Sequence, residues 1–315
     1  MATIGVIGLG NMGRGMALSL QRGGFDVIGT DVSAATRELL ASEGVKTVDT
    51  VRQVIAACDM VFLSLPTAAI VADVVVGANG ILANAKKGLL VIDTSTSHPD
   101  TTRQLATQLE AAGMRMMDAP VSGGPRGAIN GTIAMVIGAS EPDLQRAMPA
   151  LEAMSAKRVH VGGVGAGHVA KIANNLFVAS HLIVAAEVAQ MASRAGVPTE
   201  ALLRGVNAGS GRSFVTEHNF PTWVLNGAFD SGFTMKLMRK DVRLSQELIS
   251  ALALDLPLAS KVAELWAHSA DAIADGEDFN RIVELGTRPH TGHDISPHAG
   301  HDTSLHAGLR ADAPV

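Results

Sequence analysis

Short apolar runs alternate with helix-spaced patterns through the first half of the chain. "TIGVIGLG" reads as a strand that runs into glycines. "MALSLQRGG" reads as a helix stopped by Gly23 and Gly24. "FDVIGTD" is a second strand and "SAATRELLASEG" a second helix. "DMVFLSLP" and "GLLVIDTST" are further strands, with the helical "TAAIVADVVVG" between them, and "MRMMDAP" and "TIAMVIGAS" follow. Continuous apolar strands separated by helices predict a parallel sheet covered on both faces. Right-handed crossovers then make this half a doubly wound α/β domain, spanning residues 1–163.

From about Gly163 onward the pattern predicts helices alone. "GAGHVAKIANNLFVASHLIVAAEVAQMASRAG" reads as one long helix ending at Gly196, which joins the two halves over residues 164–195. Helical spacing continues in "TEALLRGVNAG", "FTMKLMRKDVRLSQELISALAL" and "PLASKVAELWAHSADAIADG". Residues 196–287 therefore form an all-helical domain. The apolar length from Ile172 to Met191 predicts burial against that domain and against a second subunit, in a homodimer or homotetramer.

Composition narrows the class. The 315 residues are 47% apolar and 17% charged, with a net charge of −5. The chain reads as globular, and no block of Lys and Arg marks it for nucleic acid or an anionic membrane. Its longest apolar stretch is interrupted by His181, Glu187 and Gln190, which favours a buried helix over a membrane span. The single Cys58 excludes an internal disulfide framework and fits a reducing cytoplasm. Thr3 opens an apolar strand directly, without the basic region of a signal peptide. Residues 288–315 carry His290, His293, His298, His301 and His306 with little apolar periodicity. They read as a mobile tail without a physiological metal, although composition alone would also allow metal binding.

The first candidate site is "GLGNMG", comprising Gly8, Leu9, Gly10, Asn11, Met12 and Gly13. It follows a strand and opens a helix. Gly8 permits a tight turn, Gly10 lets a pyrophosphate approach the backbone, and Gly13 allows close helix–strand packing. Asp31 closes the second strand, where a carboxylate accepts hydrogen bonds from the adenosine ribose and repels a 2′-phosphate. This favours NAD over NADP, although Asp31 is also placed to cap the next helix. Leu65, Pro66 and Thr67 end one strand, and Thr94, Ser95 and Thr96 another. Ligands of such sheets lie outside these strand ends. Leu65, Pro66 and Thr96 are cofactor candidates, and the hydroxyls of Ser95 and Thr96 suit cofactor, substrate or helix capping.

A polar patch marks the long helix. His168, Lys171 and Asn175 are spaced three and four apart and share one face. The helix dipole near its N-terminus disfavours an ammonium and lowers the proton affinity of Lys171. A lysine tuned in this way exchanges a proton with a substrate oxygen. Lys236 and Lys240 share a face of a later helix.

Four segments together resemble the β-hydroxyacid dehydrogenases, the group of 3-hydroxyisobutyrate dehydrogenase and tartronate semialdehyde reductase. They are "GLGNMG", "DAPVSGG", "GAGHVAKIANN" and "LMRKD". The resemblance implies a Rossmann-type domain followed by an all-α domain. It implies carboxylate binding by Ser122, Gly123 and Gly124, a catalytic role for Lys171, and substrate binding by Asn175. It places Lys240 near nicotinamide and substrate, with Asp241 following as in the family. "SGRSF", Ser210 to Phe214, is similar to a helical-domain segment of the hydroxyisobutyrate branch. His168 is closer to the pattern of 6-phosphogluconate dehydrogenase, a longer relative. Arg126 departs from the family, either facing water or reaching a second acidic group on the substrate.

The expected function is NAD-linked interconversion of a small β-hydroxy acid and its oxo acid, with Lys171 as general acid and base. Two other readings share the sequence. One is reduction of a semialdehyde or an imine; Lys171 speaks against imine reductases, which usually lack that lysine. The other is a dinucleotide-binding sensor without catalysis, which leaves the patch of Lys171 and Asn175 without a role.

Overall fold

The computed structural model describes residues 3–84 and 86–287, so the His-rich stretch after them lies outside the described residues. Nine strands form one sheet: β1 (Thr3–Ile7), β2 (Asp26–Thr30), β3 (Lys46–Thr47), β4 (Met60–Leu63), β5 (Leu90–Asp93), β6 (Arg115–Asp118), β7 (Val121–Ser122), β8 (Ile133–Gly138) and β9 (Ser155–Gly162). The spatial order is β3-β2-β1-β4-β5-β6-β8-β7, with β9 also paired to β8. Strands β1 to β6 pair in parallel. Successive residues on each strand feed opposite faces. Val6, Phe62 and Ile92 join one core, while their neighbours Ile7, Leu63 and Val91 join the other. Burial on both sides is why these strands are apolar without alternation.

The sheet is mixed rather than wholly parallel. β8 runs antiparallel to β6 and β7, and β9 then runs parallel to β8. The apolar run of β8 is fully compatible with either direction, because strand direction is set by the connection and not by side-chain period. β9 escapes the pattern because Ala156, Lys157, His160 and Val161 on it are exposed. The strand also breaks between β6, which ends at Asp118, and β7, which begins at Val121. Pro120 interrupts it, and β7 restarts two residues after Ala119.

The helical half is built on Ala166–Arg194, with Thr199–Ala208, Met235–Ala251 and Pro257–His268 around it. Leu182, Phe220, Met238, Trp266 and Ile282 form its core. The last two predicted helices end earlier than their patterns suggested. One stops at Ala251, and the other gives way to a single 3-10 turn at Ser269–Asp271. A π-helix at Val215–Val224 and a 3-10 segment at Phe279–Thr287 were not anticipated. The first contains Pro221, and the second is a short stretch whose buried apolar residues are Phe279, Ile282 and Val283.

A buried carboxylate ties the start of the long helix to the sheet. The long helix starts at Gly165, in the left-handed conformation, and has no side-chain cap of its own. Asp118, at the end of β6, supplies one. Its Oδ1 accepts from Gly165 N at 2.6 Å and its Oδ2 from His168 N at 2.7 Å. Burial pushes the Asp118 carboxyl above its usual range, while these N–H groups and His168 pull it back. A carboxylate at a helix N-terminus is favoured by both hydrogen bonding and the dipole.

Removing this cap leaves two buried N–H groups without an acceptor. Asp118→Ala is expected to lower the unfolding free energy by roughly 2–3 kcal/mol. Asp118→Asn, which keeps one acceptor, loses less. Chemical denaturation of the purified variants measures both.

Candidate active site

The glycine loop leads from β1 into the helix Asn11–Arg22. A Cβ on Gly13 would lie 1.8 Å from the Gly8 carbonyl oxygen, so only glycine allows this approach of helix to strand. A Cβ on Gly10 would meet nothing within 4 Å. Open space therefore faces the first turn of a helix without a side-chain cap. Asn11 and Met12 continue this rim, while the Leu9 side chain turns into the core beneath it. The arrangement fits a dinucleotide pyrophosphate, which needs backbone N–H groups and room.

Asp31 does more than end β2. Its Oδ2 accepts from Leu9 N at 2.7 Å, which fastens the glycine loop to the adjacent strand. Its Oδ1 accepts from Ser33 N at 2.9 Å. Ser33, not Asp31, caps the next helix through Thr36 N. Arg37, the nearest basic residue, is spent on the Asp31 carbonyl and on Asp49. No free cation is thus offered to a 2′-phosphate from this helix.

Leu65 and Pro66 follow β4, and the Leu65 N–H donates to Ser95 Oγ at 3.0 Å. Ser95 is buried, so its hydroxyl ties two strand ends together rather than meeting a ligand. Thr96 is half-buried, and its carbonyl accepts from Lys240 Nζ at 3.1 Å.

The polar patch on the long helix is buried, not solvated. His168, Lys171 and Asn175 are 0%, 8% and 4% exposed. They do not act together. His168 Nε2 meets the Ser95 carbonyl at 3.0 Å and its Nδ1 meets Thr102 Oγ1 at 2.9 Å, with Asp93 and Asp118 both 3.8 Å away. It is an anchor beneath the crevice. Lys171 and Asn175 line the crevice itself.

The Lys171 Nζ donates to Ser122 Oγ at 2.8 Å. Ser122 ends β7, and Gly123 and Gly124 follow with φ of +119° and +63°, which L side chains rarely adopt. The helix Gly124–Asn130 starts there with Pro125 in its first turn. Burial pushes the Lys171 amine down to about 8, chiefly by desolvation, with Asp241 opposing the change and Lys240 adding to it. Burial, and not the helix dipole invoked from the sequence, is the first cause of the shift.

Across the crevice stands the helix Met235–Ala251. Asn175 Nδ2 donates to Asp241 Oδ2 at 2.5 Å, and Lys240 Nζ lies 3.1 Å from Asp241 Oδ1. Lys236, though it shares a face with Lys240, is exposed. Asp241 was noted in the sequence only as the neighbour of Lys240. The signal that singles it out is an acid flanked by the buried positions Met238, Val242 and Ser245. Arg126 is exposed and makes no side-chain hydrogen bond or ion pair among the described residues.

Comparison with known proteins identifies the family of both halves. Residues 3–163 match the NAD binding domain of 6-phosphogluconate dehydrogenase. Residues 165–285 match the family described as NAD-binding of NADP-dependent 3-hydroxyisobutyrate dehydrogenase. Over 282 residues the chain is 32% identical to 2-(hydroxymethyl)glutarate dehydrogenase of Eubacterium barkeri, covering 90% of this chain and 94% of that one. It is 34% identical over 281 residues to 2-hydroxy-3-oxopropionate reductase of Escherichia coli, covering 89% and 96%. The solved structure of Mycobacterium tuberculosis 3-hydroxyisobutyrate dehydrogenase with L-serine superposes with a TM-score of 0.85 at 34% identity, over 90% of this chain and 99% of that one. The chain belongs to the β-hydroxyacid dehydrogenase family. This β-hydroxyacid dehydrogenase is an NAD-dependent oxidoreductase of small hydroxy and oxo acids, similar to the 3-hydroxyisobutyrate dehydrogenases.

Titration with each dinucleotide checks the role of Asp31. Wild type is expected to bind NAD more tightly than NADP. Asp31→Ala is expected to weaken NAD by roughly tenfold or more, as charged hydrogen bonds are worth about 1.5–3 kcal/mol each. A wild type that prefers NADP would contradict the assignment.

Proposed function

We propose that this β-hydroxyacid dehydrogenase oxidises a primary alcohol on the carbon β to a carboxylate, and reduces the corresponding aldehyde, with Lys171 as the acid and base. The observation that carries the reading is the Lys171 ammonium held on Ser122 beside the two left-handed glycines. The names of the three relatives above support the substrate class. 3-Hydroxyisobutyrate, 2-(hydroxymethyl)glutarate and 2-hydroxy-3-oxopropionate each carry oxygen on the carbon β to a carboxylate. They differ in the substituent at the carbon between.

Gly8, Leu9, Gly10, Asn11, Met12, Gly13, Asp31, Leu65, Pro66 and Thr96 are the residues we assign to holding NAD. When bound, NAD supplies the acceptor for the hydride that leaves the alcohol carbon. Ser122, with the backbone N–H groups of Gly123 and Gly124, holds the substrate carboxylate. Lys171 in its neutral form takes the hydroxyl proton as the carbonyl forms. In reduction its ammonium returns that proton to the new oxygen and stabilises the charge developing there. Asn175 orients Lys171 or a substrate oxygen. Lys240 contributes positive charge that attracts the acid.

The protein works as a homo-oligomer in this reading. Phe177, Val184 and Met191 on the long helix are 65%, 52% and 65% exposed. With His181 and Val188 between them they recur at alternate steps of four and three. That is the seam by which one helix packs along another. By length and apolarity the helix could also cross a membrane. A second copy of the chain covers the stripe without placing Lys171 and Asn175 in lipid.

Lys171→Ala is expected to lower kcat by about 10²- to 10⁴-fold, the usual worth of a general acid or base, with the Kd for NAD nearly unchanged. A panel of β-hydroxy acids assayed by NADH absorbance identifies the substrate. Oxidation needs the neutral amine, so its kcat/KM should rise as pH increases through about 8. Reduction needs the ammonium and should fall over the same interval. Near-wild-type turnover by Lys171→Ala would remove the assignment.

Light scattering tests the assembly. Wild type is expected at twice the single-chain mass or more. Phe177→Asp combined with Val184→Asp should shift it toward the single chain.

A further inference from the structure

We propose that Asp241 is a positioning residue that sets the proton affinity of Lys171 through its negative charge. The inference rests on the reading that Lys171 exchanges a proton with substrate.

Asp241 is 2% exposed, on the crevice side of the helix Met235–Ala251. One of its oxygens is fixed by Asn175, at 2.5 Å. The other lies 3.1 Å from Lys240 Nζ, yet accepts no hydrogen bond among the described residues. The ammonium is close enough to form an ion pair but is not aligned to donate. Among the described residues, this buried carboxylate oxygen is balanced by the charge of Lys240 alone.

Asp241 makes no salt bridge to Lys171, whose ammonium is held by Ser122. Its charge favours the proton on Lys171 without a direct contact. Asn175 holds it in place. This asparagine is one helical turn from Lys171, so the carboxylate and the amine are referenced to the same rigid element.

The charges around the amine make the carboxylate necessary. Lys240 and Asp241 face Lys171 from the opposite helix. Beneath, on its own helix, His168 lies between Asp93 and Asp118 at the strand ends. Ser122 comes from β7 and carries no charge. With Lys171 protonated, the two ammoniums and Asp241 sum to one positive charge, which matches one substrate carboxylate. Without Asp241 the same site would hold two ammoniums, one buried and one half-buried, with no carboxylate between them. Burial and Lys240 both disfavour the proton on Lys171, and Asp241 opposes them. Its charge keeps enough ammonium near neutral pH for the reductive direction.

The test reads the amine directly. Full-length protein carrying ¹³C-labelled lysine is titrated by NMR, with the Lys171 resonance assigned through Lys171→Arg. Wild type is expected to titrate near 8. In Asp241→Asn, isosteric but neutral, Lys171 should titrate about one pH unit or more lower. The acid limb of kcat/KM for oxidation should move down with it. Asp241→Glu, which keeps the charge, should return the titration toward wild type. An unchanged Lys171 titration in a folded Asp241→Asn protein overturns the proposal. If that variant does not fold, Asp241→Ser removes the same charge with less bulk and is read in the same way. A Lys171 titration that moves while the kcat/KM limb stays fixed would leave Asp241 in its role. It would instead remove Lys171 as the base, so the two failures are distinct.

Discussion

The carboxylate of Asp118, buried at the end of β6 and capping the long helix, is the contact on which the active site depends. It fixes where the helix begins, and with that where Lys171 and Asn175 fall relative to the sheet. The same strand leads through Ala119 and Pro120 into β7, which carries Ser122. Cap and hydroxyl therefore come from one short stretch of chain. Lys171 meets Ser122 because a helix start and a strand end are joined by hydrogen bonds, not because the two residues attract each other. His168 reinforces the joint by reaching the Ser95 carbonyl and Thr102 from the first turn of the helix.

The crevice is otherwise an electrostatic compromise. A buried ammonium is costly, and the protein lowers that cost by partial deprotonation instead of full pairing. Lys240 is anchored by the Thr96 carbonyl and by Asp241, so one cation is held with a partner while the other is left free to titrate. This division suits an enzyme that must both attract an anionic acid and move a proton. A site with both lysines fully paired would bind the acid less strongly. One with neither paired would hold no proton at neutral pH.

The mixed sheet has a part in this. Were β8 parallel to β6, its connection would have to cross the sheet, and the Ser-Gly-Gly segment would be drawn away from the strand ends. The antiparallel turn through β7 and the helix Gly124–Asn130 keeps that segment at the mouth of the crevice. Left-handed glycines at positions 123 and 124 make the turn sharp enough.

Much of this was legible in the amino-acid order. Apolar runs without alternation announced a sheet buried on both faces, and "GLGNMG" followed by Asp31 announced the dinucleotide end of it. The four-segment resemblance pointed to Lys171, Ser122 and Asn175, which the fold brings into one crevice. Local patterns carry such information because turn chemistry, helix periodicity and glycine conformation are properties of neighbouring residues. What they could not carry is any relation between distant segments. Strand direction in β8, the burial of His168, the use of Ser95 as a tie and of Asp118 as a cap each join residues about 20 or more positions apart. The environment of Asp241 belongs to the same class. In the sequence it is one acid beside one lysine, indistinguishable from a solvated pair. Only the packing of two helices removes its water, turns it toward Asn175 and makes its charge felt at Lys171, because desolvation and distance are decided by tertiary structure alone.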